Sequence, residues 1–324
     1  MADYSWLPET IYDCYNSDKK RNYIWSLEKR DVQYESLHSY ISPFLALAQY
    51  EEYYKSDILD MSKNKIVTIF EMVIKSYGMY SNYCSVLKDY FNYYNKDFEK
   101  VRPLFEDLDI AGNMENRYVK DYDMLLKVLN EAFPLTGGSL DEFRKLIVML
   151  CFLGFKKTEV REMKKSDINF IYNSITHGGR TIEDIPESCM RLCEICMDMK
   201  EVYLNNTSHL PYNKRTFFPL CDNDFLIRTR FLNPTTQNYP VRVAFVDRGL
   251  ASMNEVVNGD YSFETIRASG LYAWLYRKEL AGDFNPNQSR RSLEKVYEQY
   301  FKIKCSGSNL SKNYALWKQI FYGN

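Results

Sequence analysis

Three cations follow a glycine in Gly154-Phe155-Lys156-Lys157-Thr158-Glu159-Val160-Arg161, and side-chain type points there to chemistry on a polyanion. Lys156, Lys157 and Arg161 gather positive charge at a turn between two expected helices, beside backbone groups that helix ends leave open. Lys164 and Lys165 carry the charge on to Ser166-Asp167-Ile168, where an aspartate opens an expected strand. His177 and Arg180 fall on a hairpin. Glu264 and Arg267 open a later helix, and Arg290 and Arg291 begin another that holds Tyr297 and Tyr300.

The elements that must position these residues can be read from periodicity. Leu146, Met149, Leu150 and Leu153 recur at helical spacing, Gly154 ends that run as a C-cap glycine would, Ser139 caps its start, and Thr158 is placed to cap the next helix. Alternation over 168–172, a glycine-containing turn over 173–179 and a return over 180–185 predict the hairpin. Pro186 stops the second strand, and a helix is expected from Glu187 to about Tyr203. Residues 225–228 and 241–245 look strand-like, while 261–280 and 288–302 read as helices.

Upstream, residues 1–35 are polar with weak periodicity and read as an N-terminal arm with at most one short helix. Residues 36–100 carry apolar faces for four or five helices, among them Tyr83, Val86, Leu87, Tyr90, Phe91 and Tyr94, a stripe better suited to packing than to a cofactor. Residues 101–121 mix proline, glycine and charge as a linker would, leaving 122–324 as a second domain. The fold class expected is therefore mostly α with a small β component, in two domains.

Composition narrows the function classes. No apolar run approaches the roughly 20 residues a bilayer span needs, and the first 20 residues lack the order of a secretory signal, so a cytoplasmic protein with no membrane partner is expected. Eight scattered cysteines then read as reduced thiols. Cys189, Cys193 and Cys196 share one helical face with no second cysteine pair at finger spacing, which favours core over zinc; neither metal nor cofactor is expected. A net charge of -1 hides an asymmetry, because residues 211–324 hold sixteen Lys and Arg against ten Asp and Glu. The positive field lies where the later motifs are.

Gly154 to Val160, with Met163 and Ser166-Asp167-Ile168, resembles the first signature of tyrosine recombinases, the phage integrases, and Glu264-Thr265-Ile266-Arg267-Ala268-Ser269 resembles the second. The resemblance covers about 36–302. It implies a core-binding-like helical domain and a catalytic-like domain that clamp duplex DNA between them. It also implies a cleavage site in which a tyrosine hydroxyl attacks phosphate while two arginines hold the developing charge, a hairpin lysine acts as acid and histidines relay protons. Of those positions Arg267 matches. Lys156 stands at the first arginine and supplies charge without the bidentate fork. Glu264 replaces a histidine, and a carboxylate there repels phosphate and tends to pair with Arg267. His177 or Arg180 is nearest to the missing lysine, Tyr297 and Tyr300 both fall in the nucleophile window, and Arg291 stands nine residues before Tyr300.

The expectation is a scaffold that has kept DNA binding and lost catalysis. Lys156, Lys164, Lys165, Arg180, Arg267, Arg290 and Arg291 are the expected phosphate contacts. The chain as a whole resembles phage members of that family that hold DNA without recombining it. This implies a repressor on double-stranded operator sites, monomeric in solution, with a regulatory phage protein as a further partner. The rival is an active recombinase with divergent residues.

Overall fold

Tyr80, Tyr83, Val86, Leu87, Tyr90 and Phe91 are all buried, so the tyrosine stripe is a packing face. They lie on the helix Tyr77–Tyr93 in a computed structural model that describes residues 11, 14–203, 209–232, 237–285, 290–302 and 309–323. The chain divides into two units, Met1–Met114 and Glu115–Asn324.

The first unit is built from α1 (Ser17–Glu28), α2 (Tyr34–Tyr54), α3 (Lys63–Val73) and α4 (Tyr77–Tyr93). Tyr23, Phe44 and Tyr90 meet edge to face, with ring centroids 4.8 to 5.8 Å apart, and join α1, α2 and α4 in one aromatic core. The arm read over 1–35 thus contains a packed helix. Its periodicity is weak for a physical reason: Lys20, which any pattern counts as surface, points inward and is fully buried. Helices α3 and α4 are separate because the hydroxyl of Ser76, three residues after α3 ends, accepts from the Met79 amide and starts α4. Residues 58–60 form only a single 3-10 turn.

The second unit runs α5 (Tyr122–Ala132), α6 (Leu140–Phe152), α7 (Lys157–Glu162), β1 (Ile168–Asn169), β2 (Ser174–His177), β3 (Arg180–Ile182), α8 (Glu187–Asp198), β4 (Glu201–Tyr203), β5 (Phe217–Pro219), α9 (Val243–Val257), α10 (Phe263–Leu280), α11 (Arg290–Phe301) and α12 (Leu310–Tyr322). Val119, in the stretch read as linker, already belongs here: its amide donates to Ser269 Oγ, and its carbonyl accepts from the buried Trp317 indole. Every residue of α6 from Leu146 to Phe152 is buried, and α5, α7, α8, α9 and α10 pack around it. Ser139 caps it as expected, accepting from the Asp141 amide, while Glu142 accepts from the amides of Gly137, Gly138 and Ser139. Ser139→Ala should cost about 1 kcal/mol, measured by urea denaturation with tryptophan fluorescence.

Around this helix the sequence expectations hold unevenly. The hairpin is a three-stranded antiparallel meander with Ile168, Ile175 and Ile182 in register across it. Its middle strand falls in the predicted turn. Asn169 Oδ1 accepts from the amides of Ile171 and Tyr172, which tightens the first turn, and Gly178 and Gly179, both at positive φ, make a two-residue second turn. No strand forms over 225–228 or 241–245. Val243 of the latter opens α9, whose Val246, Gly249 and Met253 face inward at helical spacing. Helix α8 stops at Asp198, where the buried Arg228 guanidinium takes the carbonyls of Cys196, Met197 and Met199. Cys189, Cys193 and Cys196 lie in the core, as their helical face predicted.

Candidate functional site

Helix α6 ends in a left-handed glycine. The Gly154 amide donates to the Cys151 carbonyl and the Phe155 amide to that of Leu150, the paired bonds of a Schellman cap. Gly154 has φ +108°, and a Cβ there would press on the Phe301 ring at 3.2 Å. The cap leaves the carbonyls of Phe152 and Gly154 facing outward at the negative end of the helix dipole.

Those two carbonyls organise the site. Gly154 O accepts from Arg267 Nε at 2.7 Å and from both terminal nitrogens of Arg180 at 3.4 Å. Phe152 O accepts from the Tyr300 hydroxyl at 2.9 Å. Two arginines and a tyrosine, far apart in sequence, therefore converge on one helix end. Phe301 of α11 closes the group. Its ring lies 3.9 Å from the Arg267 guanidinium, and its carbonyl accepts from Arg180 Nη1 at 2.7 Å.

Arg180 is committed on every side. It is 4% exposed, pairs with Glu159 at 2.5 Å and stacks over Phe155 at 4.6 Å. The expectation that it touches DNA is corrected by this burial. Glu159, three residues into α7, also accepts from the Lys156 amide at 2.6 Å, so Lys156 and not Thr158 is the N-cap position. Lys157 pairs with Asp247 on α9, and Arg161 donates to the Val241 carbonyl, so the turn keeps less free charge than its sequence implied. Lys156 itself is exposed, and among the described residues its ammonium holds no ion pair.

The remaining positions are dispersed. His177 shares a 2.7 Å hydrogen bond with Asp167, which also accepts from the Lys164 amide. The Lys164 side chain is exposed; Lys165 is half-buried, and burial, with Arg228 nearby, pushes its pKa down. Glu264 sits exposed in the first turn of α10, and among the described residues it holds no ion pair with Arg267. The expected pairing is thus corrected, because Arg267 reaches the α6 carbonyl instead. Tyr297 is half-buried, its ring 5.5 Å from Phe301. Burial holds the Tyr300 hydroxyl well above the ordinary phenol range, against Arg277 and Arg267. Arg290 and Arg291 begin α11, and their side chains lie outside the described residues.

Sequence reasoning missed Phe301 and the role of the Gly154 carbonyl. The C-cap glycine marked the helix end but not its guests; nothing in the pattern signalled Phe301. Glu159, three residues after an N-cap position, was the signal for the Arg180 partner.

Fold and site define a mostly helical two-unit protein in which two arginines and a tyrosine meet at the end of one central helix. The family model described as MrpR, C-terminal catalytic domain, matches residues 142–315, and the chain belongs to that family. It is similar to the crystal structure of XerA recombinase, at 12% identity over 94% of each chain with a TM-score of 0.39. It is also similar to XerH site-specific recombinase bound to difH substrate in a pre-cleavage complex, at 14% identity over 96% of this chain and 89% of that one, TM-score 0.36. A lambda integrase dimer bound to a COC' core site gives 14% identity over 94% of this chain and 78% of that one, TM-score 0.40. No curated protein matches the sequence.

Proposed function

We propose that this protein is a sequence-specific double-stranded DNA-binding protein, acting as a transcriptional repressor that maintains prophage lysogeny on a recombinase scaffold without strand cleavage. The observation that carries this reading is the inward commitment of the site: Arg180, Arg267 and the Tyr300 hydroxyl all serve carbonyls at the end of α6. A phosphoryl-transfer site needs its guanidinium forks open to phosphate and its hydroxyl free to attack. Here one fork is buried on a glutamate, and the candidate nucleophile donates to backbone. Lys156 adds charge without a fork, and Glu264 sets a carboxylate where the chemistry wants a proton relay.

The resemblance of the whole chain to the master repressor of SPβ-type prophages supports the regulatory role. Occluding a promoter requires affinity and register, which phosphate contacts supply without breaking a bond. Lys156 and Lys164 are the exposed cations that suit such contacts.

A nicked suicide substrate made from prophage operator DNA tests the catalytic half. No covalent protein–DNA adduct is expected; an adduct lost on Tyr300→Phe or Tyr297→Phe would establish the rival, an active recombinase. Titration at several salt concentrations tests the binding half. Lys156→Ala should weaken operator affinity about threefold to tenfold and flatten the salt slope by about one ion, with the melting temperature unchanged. Arg267→Ala is the poorer probe, since Arg267 also holds the helix end.

A further inference from the structure

Lys20, Glu51 and Asp57 form a sealed ionic cluster inside the first unit. The side chains of Lys20 and Glu51 have no exposure, and Asp57 is 2% exposed. The Lys20 ammonium spends its three donors on Tyr15 O, Glu51 Oε1 and Asp57 Oδ2, each at 2.8 Å. Glu51 Oε1 accepts a second bond from the Ile58 amide at 2.8 Å, while Glu51 Oε2 is buried and has no hydrogen-bond partner among the described residues. Asp57 is better served, by Lys20, the Leu59 amide and the Asn16 side chain.

Two carboxylates therefore face one ammonium. Fully ionised, the cluster carries one negative charge among side chains removed from solvent, and charge on a buried group is costly to hold there. A single proton on Oε2 restores neutrality and disturbs none of the existing bonds. Among the described residues, the other groups facing the cluster offer no compensating cation. Tyr90 of α4 brings its hydroxyl to 3.5 Å from Asp57 Oδ2 and its ring to 5.9 Å from the Lys20 ammonium. Tyr94 donates to the Lys19 carbonyl, and Lys19 and Lys96 are drawn to Asp60 at the solvent rim.

We propose that Glu51 carries the proton in the docked state, and that its loss is a pH-sensitive switch loosening α1 from the rest of the first unit. Lys20 is the α1 residue that spans from this helix to Glu51 and Asp57, so charge imbalance in the cluster acts directly on α1. Burial pushes the Glu51 carboxyl up to about 7, against the lowering pull of Lys20. A carboxyl raised on docking binds its proton more tightly docked than undocked. Docking is then strongest below the solvent value of 4.5 and weakens as pH rises towards 7.

The test is amide hydrogen exchange on the full chain between pH 6 and pH 8, corrected for intrinsic exchange. Protection of the α1 amides should fall about tenfold over that range in the wild type and stay flat in Glu51→Gln. Carbon-13 titration of the Glu51 carboxyl, assigned by its absence from the variant spectrum, gives a second readout that does not depend on how well the variant folds. A midpoint near neutrality supports the switch. A carboxyl titrating near 4.5, or α1 protection in the wild type indifferent to pH, would overturn it.

Discussion

Gly270→Ala is expected to destabilise the second unit by about 3 kcal/mol or to prevent it from folding. Gly270 lies on α10 where that helix crosses the end of α6. An added Cβ would meet the Phe152 carbonyl oxygen at 1.8 Å and the Tyr300 hydroxyl at 2.7 Å. Neither neighbour can yield cheaply, because the first is backbone of the central helix and the second is bonded to it. The helices would have to separate, and the core around α6 packs too densely to absorb that. Thermal denaturation followed through Trp274 and Trp317 measures the effect. Gly112→Ala is the control, since nothing lies within 4 Å of its added Cβ and a side chain there should leave stability nearly unchanged. Equal melting temperatures for the two variants would remove the claim that α10 and α6 are held at backbone contact.

The second large effect is at Arg180. Arg180→Met should cost about 3 kcal/mol, because one truncation strips partners from the Gly154 carbonyl, the Phe301 carbonyl and the Glu159 carboxylate together. Arg180→Lys should recover only part of that loss, since an ammonium on a flexible stem cannot serve three acceptors set around a planar fork. Chemical denaturation of the three proteins gives the comparison. A methionine variant as stable as the wild type would mean that the guanidinium is held for something other than the fold. Operator binding by the lysine variant then bears on function: if Arg180 is purely internal, affinity should follow the folded fraction and the salt slope should not change.

Both sites lie where the end of α6 gathers donors from α10 and α11. The end of a helix and a phosphate ask for the same groups, namely directed N–H and O–H donors with positive charge. At the end of α6 the helix takes those donors for itself. Lys156, two residues beyond the cap glycine, is exposed, as is Lys164.

The sequence by itself determined the parts that depend on near neighbours along the chain. Helical spacing fixed α6 and the stripe on α4, Ser139 and Gly154 marked the ends of α6, and the three-four spacing of Cys189, Cys193 and Cys196 put them in the core. Short-range signals failed where one side chain reaches across the fold. Lys20 hid α1 by facing inward toward Glu51 and Asp57, 31 and 37 residues away. A few valines disguised the start of α9, because strand and helix share β-branched residues over so short a window. The charged site was decided by tertiary structure alone. Sequence told which arginines and tyrosines exist, but whether each faces phosphate or carbonyl depends on where Phe301 and Glu159 fall. The Phe301 carbonyl and Arg180 are 121 positions apart, and no local pattern spans that distance.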